Sequence, residues 1–215
     1  MTNVWDSRAD AYRSSKTHAS GEDLDRVVEL CEPKPGLKVL DVASGGGFVA
    51  ERLRAEGCSV VTLDPSPGMR ADVIARAEDI PFDDGSFDVV VTRIAPHHFE
   101  DVQRAVAELE RVSNRVVVIE DTLFSSDRHE QAEKLRDPTH VRNYTEDEWR
   151  DFLTGAGLEV EQVERFEKMH PLEPWLVRTG CEGDEAERVK ELLADRIAGG
   201  HVKVDRGIFK ARKDA

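Results

Sequence analysis

Along this chain, short apolar runs alternate with stretches whose apolar residues recur every three to four positions. Lys38–Val42, Ser59–Leu63, Phe87–Thr92 and Arg115–Glu120 are short and mostly apolar. Such runs predict strands buried on both faces, hence a mostly parallel sheet. A shorter strand is predicted over Asp72–Arg76. Leu158–Phe166 alternates like a strand, and Val202–Lys210 closes the sheet as a last strand or hairpin. Helices are predicted between them. Ser20–Cys31 carries Leu24, Val27, Val28 and Leu30 on one face and is stopped by Pro33 and Pro35. Phe48–Glu56 ends at Gly57, and Val102–Val112 is amphipathic. Thr145–Ala156 opens with Thr145 and Glu148 in capping-box spacing, and Glu185–Ile197 is a further helix. Strand and helix in alternation imply a doubly wound α/β fold, in which ligands sit beyond the carboxyl ends of the strands.

Charge narrows the partners. The chain has 30 basic and 44 acidic residues, a net charge of −14. That balance repels phosphate backbones, so no nucleic acid is expected as partner. Cys31, Cys58 and Cys181 are scattered and read as small apolar residues, so no metal and no disulfide framework is expected. The polar start, Met1 to Arg13, does not read as a signal peptide, and no apolar run reaches membrane-spanning length. A cytoplasmic location without membrane insertion follows as the expectation.

The chemistry clusters at the predicted strand ends. Gly45-Gly46-Gly47-Phe48-Val49-Ala50 matches G-x-G-x-x-G/A, where glycine lets the backbone turn tightly against a ligand. On its own this is also a plain strand-to-helix turn. Asp41 lies four residues earlier. A diphosphate would be repelled there, whereas a ligand with an α-amino group would be attracted. Asp64 follows the second strand, where a carboxylate can accept two ribose hydroxyls or simply form a turn before Pro65. Ala77-Glu78-Asp79-Ile80-Pro81-Phe82 can address an adenine edge, with Ile80 against its face. Arg93-Ile94-Ala95-Pro96-His97-His98-Phe99 leaves the fourth predicted strand toward the cleft.

These four segments, in this order and spacing, resemble class I S-adenosylmethionine-dependent methyltransferases. The branch they resemble most makes C-methyl groups in ubiquinone and menaquinone biosynthesis, with a generic methyltransferase subgroup beside it. The resemblance covers roughly residues 10 to 165 and implies a Rossmann-like fold: a seven-stranded, mostly parallel sheet with helices on both faces and an N-terminal helical cover. It divides a single domain, 1–215, into a cover (1–35), a cofactor-binding core (36–120) and a substrate-side half with lid and closing strands (121–215). It implies that S-adenosylmethionine binds and leaves as S-adenosylhomocysteine. Asp41 and the backbone of Gly45 and Gly47 would hold the methionine part. Asp64 would take the ribose, and Ala77 and Glu78 the adenine, while Ala43, Ser44, Pro65, Met69, Asp79 and Ile80 fall to the cofactor as a whole. Arg93 and Ile94 also fall to the cofactor, and Tyr12 and His18 would close over it. One departure stands out: many relatives carry Asp just before the Ala-Glu pair, and this chain has Arg76, which offers no acceptor.

Methyl transfer mainly requires alignment and exclusion of water, so a catalytic triad is not needed. If the acceptor is a phenol, enol or activated ring carbon, His97 and His98 are the candidate bases, with His98 the one expected to face the cleft. Each could equally be a structural histidine. Arg93 either binds an acidic substrate or pairs with Asp101 or Glu100. Asp121, His140, Arg142 and Tyr144 are the expected substrate-side residues, with Trp149 and Trp175 as packing. The expected partner is a small-molecule methyl acceptor, quinone-like or phenolic, and the protein a monomer or homodimer. Two rivals stand: a non-catalytic S-adenosylmethionine-binding sensor, and a nicotinamide-dependent oxidoreductase, which shares the glycine loop and Asp64 but leaves Asp41 unexplained.

Overall fold

The structure is a computed structural model that describes residues 4–13, 15 and 19–213. Helix α1 (Val4–Arg13) and α2 (Glu22–Leu30) precede β1 (Lys38–Val42), α3 (Phe48–Ala55), β2 (Ser59–Leu63) and β3 (Phe87–Arg93). Then come α4 (Val102–Val112), β4 (Ser113–Thr122), α5 (Asp127–Arg136) and α6 (Glu146–Gly155). The chain ends with β5 (Leu158–Pro171), α7 (Leu172–Val177), α8 (Gly183–Leu192), β6 (Ile197–Ala198) and β7 (His201–Lys213).

The strands form one seven-stranded sheet in the order β2-β1-β3-β4-β7-β5, with β6 paired to β7. Strands β1 to β4 pair in parallel and β7 runs antiparallel between β4 and β5. This is the Rossmann-like α/β architecture expected from the alternation of strands and helices. Both sheet faces are dry. Leu40, Val42, Val90, Val117, Ile119, Phe209 and Ala211 pack with α4 and α6 on one side. Their neighbours Val39, Val89, Val91, Val116, Val118 and Ile208 pack with α2 and α3 on the other. Alternate residues of a strand point to opposite faces, so an unbroken apolar run is what two helical layers require. A third cluster joins α7 and α8 to Ala132 of α5 and Val202 of β7.

The capping box forms as read: Thr145 Oγ1 accepts from the Glu148 N–H while the Glu148 carboxylate takes the Thr145 N–H. The strand expected over 72–76 does not form. Only Val73 bridges Leu63, because the Asp72 carboxylate takes the Thr62 N–H that a neighbouring strand would use. The seventh strand is instead β6, joined to β7 through Gly199-Gly200, both at positive φ as a tight hairpin requires. The helix expected over 185–197 starts earlier and stops at Leu192, since 197–198 is needed for that hairpin. Helices α5 and α7 were not anticipated; α5 has little apolar periodicity to betray it, burying only Ala132. Among the described residues, no helix is long and apolar enough to cross a membrane.

Candidate active site

A cavity of about 480 Å³ opens at the carboxyl ends of β1, β2 and β3. The chain reaches it through backbone conformations that L-residues avoid. Ala43, just after β1, has φ 53°, and Ile94, just after β3, has φ 54°. A β-branched residue there is a true outlier, and such strain persists where the surrounding structure over-determines it. Both residues line the cavity. Ser44 and Gly45 follow, and Gly47 opens α3 in the left-handed region, with φ 77°. A Cβ at Gly46 would lie 3.1 Å from the Tyr12 carbonyl oxygen, so glycine there lets the cover approach closely.

Two buried carboxylates face this space. Asp41 Oδ2 accepts from the Ala50 N–H at 3.1 Å, and burial pushes its carboxyl up to about 7. Asp64 accepts from the Gly45 N–H at 3.0 Å and the Ser66 N–H at 2.9 Å, and burial raises it too. Neither has a cationic side chain within 4 Å among the described residues. At the far wall, Glu78 accepts from the Glu100 N–H at 2.9 Å and pairs with Arg76, whose other arm reaches Glu100. Helix α1 roofs the cavity. Asp6 Oδ1 accepts from Ser66 Oγ and the Gly68 N–H, and Arg8 pairs with Asp137 at 2.9 Å. Trp5 and Tyr12 of this helix line the cavity, with the Trp5 ring 4.7 Å from that of His98.

Comparison with known proteins agrees with this layout. The model of a methyltransferase domain matches residues 40–115. The uncharacterised methyltransferase YcgJ of Bacillus subtilis is 28% identical over 88% of this chain and 84% of its own length. A demethylmenaquinone methyltransferase of Thermus thermophilus is 35% identical over 44% of this chain and 52% of that protein. A Bacillus halodurans structure, provisionally described as a methyltransferase, superposes with a TM-score of 0.81 at 26% identity, covering 91% of this chain and all of that one (100%). Residues 40–115 thus match a methyltransferase domain, and the chain shares its fold with a methyltransferase-like structure over 91% of its length.

In this chain, Tyr12, Asp41, Ala43, Ser44, Gly45, Asp64, Pro65, Met69, Ala77, Glu78, Arg93, Ile94 and His98 come together around the large cavity. Several expectations are corrected. Gly47 does not line the cavity but caps α3. Ile80 faces the core, not an adenine, and Asp79 is exposed to solvent. His18 lies outside the described residues. Arg93 pairs with neither Asp101 nor Glu100. Its guanidinium bridges Asp23 at 2.5 Å and Glu120 at 2.7 Å, all three buried, with Lys168 on Asp23. It is therefore a buried cation that neutralises carboxylates beneath the cavity floor.

The two histidines separate. His98 lines the cavity, while His97 faces a smaller chamber behind it. His97 Nδ1 lies 2.5 Å from Asp121 Oδ1; burial lowers the imidazole to about 3 and raises the carboxyl to about 7. Asp121 thus orients His97 rather than lining either space. His98 Nδ1 meets the Thr139 carbonyl oxygen at 3.0 Å, which fixes Nδ1–H and leaves Nε2 as an acceptor. Burial lowers His98 to about 3 as well, so it is a neutral ring at physiological pH.

Of the expected substrate-side residues, only His140 reaches a chamber. Tyr144 is buried against Trp149 and Phe152 in the core. Arg142 lies over the Tyr144 ring and pairs with Glu148 at 2.6 Å at the surface. Both are drawn away because α6 needs its cap and its packing face. Trp149 and Trp175 are buried packing residues, as read. Sequence reading missed Trp5, Thr139 and Arg206. Trp5 and Tyr12 stand seven apart on one helix, a spacing that marks a shared face. Arg206 sits in register with Val202, Val204 and Ile208, and a lone arginine on a buried strand face was a readable signal.

Proposed function

We propose that the chain binds S-adenosylmethionine in the large cavity and transfers its methyl group to a small-molecule acceptor. The observation that carries this reading is the pair of buried carboxylates, Asp41 and Asp64, without cationic partners among the described residues. Buried carboxylates with raised pKa at one cavity call for a ligand that supplies positive charge and hydroxyl donors. They oppose a diphosphate, the feature of the nicotinamide rival. The cavity volume of about 480 Å³ suits a nucleoside-sized ligand.

Asp41 stands where an α-amino group would meet it. Asp64, held by the Gly45 and Ser66 amides, presents its remaining lone pairs to ribose hydroxyls. The Ala77–Glu78 wall faces the adenine end, and Arg76, turned onto Glu78 and Glu100, leaves backbone groups there to address its edge. Bound there, S-adenosylmethionine supplies an electrophilic methyl carbon on a positive sulfur, which departs with the bonding pair as a neutral thioether. Trp5 and Tyr12 on α1 exclude water from that space. His98 Nε2 stands ready to accept the acceptor's proton as its nucleophilic atom bonds to the methyl carbon. A quinone-like or phenolic ring, which loses a proton on methylation, fits that role, and the whole chain acts as one methyltransferase unit.

Titration calorimetry tests the reading directly. S-adenosylmethionine and S-adenosylhomocysteine should each bind at one site, and NAD should not. Binding of NAD alone would refute it. A turnover screen with phenolic and quinol acceptors then separates an enzyme from a sensor. His98→Gln should lower kcat by about a hundredfold with S-adenosylmethionine affinity nearly unchanged; the opposite split would make His98 structural.

A further inference from the structure

Beyond the large cavity lies a second chamber of about 40 Å³, bounded by Arg136, Arg178, Arg206, His140, His170 and Asn143. Tyr12, Ile94 and His98 line both spaces, so they form the passage between them. The sheet order separates their roles. Asp64, Asp41 and Ile94 follow β2, β1 and β3, whereas Arg206 and His170 belong to β7 and β5 at the other half of the sheet. Because β7 runs antiparallel, its early residue Arg206, opposite Thr122, stands at the carboxyl ends of the parallel strands.

The chamber is cationic and under-satisfied. It is lined by three arginines and one acid, Glu133, and that acid pairs with Arg136 at 2.9 Å. Arg206 is 4% exposed, yet its Nε and Nη1 meet no acceptor among the described residues. His170 is 2% exposed and neither ring nitrogen has a partner among the described residues. A buried guanidinium without a paired carboxylate is costly, and native sites retain one where an anion completes it. A planar guanidinium also matches the two oxygens of a carboxylate or phosphate.

We infer that the methyl acceptor is an anionic small molecule, whose carboxylate or phosphate enters this chamber against Arg206 and His170 while its nucleophilic atom lies at the passage beside His98. The inference rests on the methyl-transfer reading. It fixes the acceptor's two ends: a compact oxyanion at the β7–β5 half and the reacting atom toward the β1–β3 half.

The test uses the full chain saturated with S-adenosylhomocysteine. Acetate and inorganic phosphate are titrated separately at constant ionic strength made up with chloride, followed by calorimetry and thermal unfolding. One or the other should bind saturably at one site, and which does so tells a carboxylate acceptor from a phosphorylated one. Arg206→Gln should weaken that binding about tenfold or more, Arg206→Lys should keep most of it, and both should retain S-adenosylhomocysteine affinity. Should Arg206→Gln not fold, His170→Gln serves as the loss-of-binding variant. If neither anion acts on the wild-type complex, or if the anion displaces S-adenosylhomocysteine, the chamber does not hold an acceptor's oxyanion and the inference is overturned. Failure of S-adenosylhomocysteine itself to bind would instead strike the methyl-transfer reading, and it is measured first.

Discussion

Arg93→Met should lower the unfolding free energy of the protein by about 3–5 kcal/mol, the cost of breaking a buried ion pair by removing one partner. Arg93 is buried between Asp23, on α2, and Glu120, at the end of β4. Methionine fills much of the volume but leaves Glu120, 0% exposed, with no cation within ion-pair distance among the described residues. Asp23 keeps Lys168, so the greater share of the loss falls on Glu120. The pH dependence gives a second reading. Burial already raises the Glu120 carboxyl, and loss of Arg93 raises it further. A carboxyl with a raised folded pKa is tolerated below its unfolded pKa and costs stability as pH rises through the folded one. The gap between variant and wild type should therefore widen from pH 5 to pH 8. Urea denaturation at both values measures it. A loss under about 1 kcal/mol, typical of a surface pair, would show that Arg93 does not carry the neutralising charge.

Asp41→Asn should weaken S-adenosylhomocysteine binding about tenfold to a hundredfold, the range for a charge-assisted hydrogen bond. The pH profile sharpens the claim. Burial holds Asp41 at about 7 in the free protein. A cationic amino group needs the ionised form, so binding should release close to one proton at pH 6 and almost none at pH 8.5. Affinity should rise with pH up to about 7 and then level. In Asp41→Asn both the slope and the proton release should be much reduced. For the free protein the sign runs the other way. A group whose folded pKa is raised stabilises most below its unfolded value and loses that contribution as pH passes about 7. Asp41→Asn without ligand should then unfold at a higher temperature than wild type at pH 8.5. Calorimetry in two buffers of different ionisation enthalpy counts the protons. Affinity that does not change across this pH range would remove Asp41 from the amino-group site.

The second prediction concerns a charge placed where the free protein gains nothing in stability by placing it. Asp41 lies in an otherwise apolar strand, and Ile94 adopts a strained backbone at the next strand's end. Local rules broken together at one rim are a sign that the rim has a task besides folding.

The alternation of apolar runs with amphipathic stretches was enough to specify the layered α/β core, since strand burial on two faces and helix amphipathicity are local properties written in residue order. The same holds for the capping box of α6 and for the glycine loop with Asp41 and Asp64, whose positions follow from strand ends alone. Tertiary structure decided the rest. Whether 72–76 became a strand depended on the Asp72 side chain competing for one backbone donor. His97 and His98 are adjacent in sequence, and only packing against Asp121 and Thr139 kept His97 to the smaller chamber while His98 lines both. Arg93 found its partners 70 residues back and 27 ahead, and Arg206 of β7 joined His170 of β5, Arg136 of α5 and Arg178 just past α7. Such convergence depends on strand order and the antiparallel run of β7. Those are long-range choices, set by how the buried surfaces of distant elements fit together, and no local periodicity encodes them.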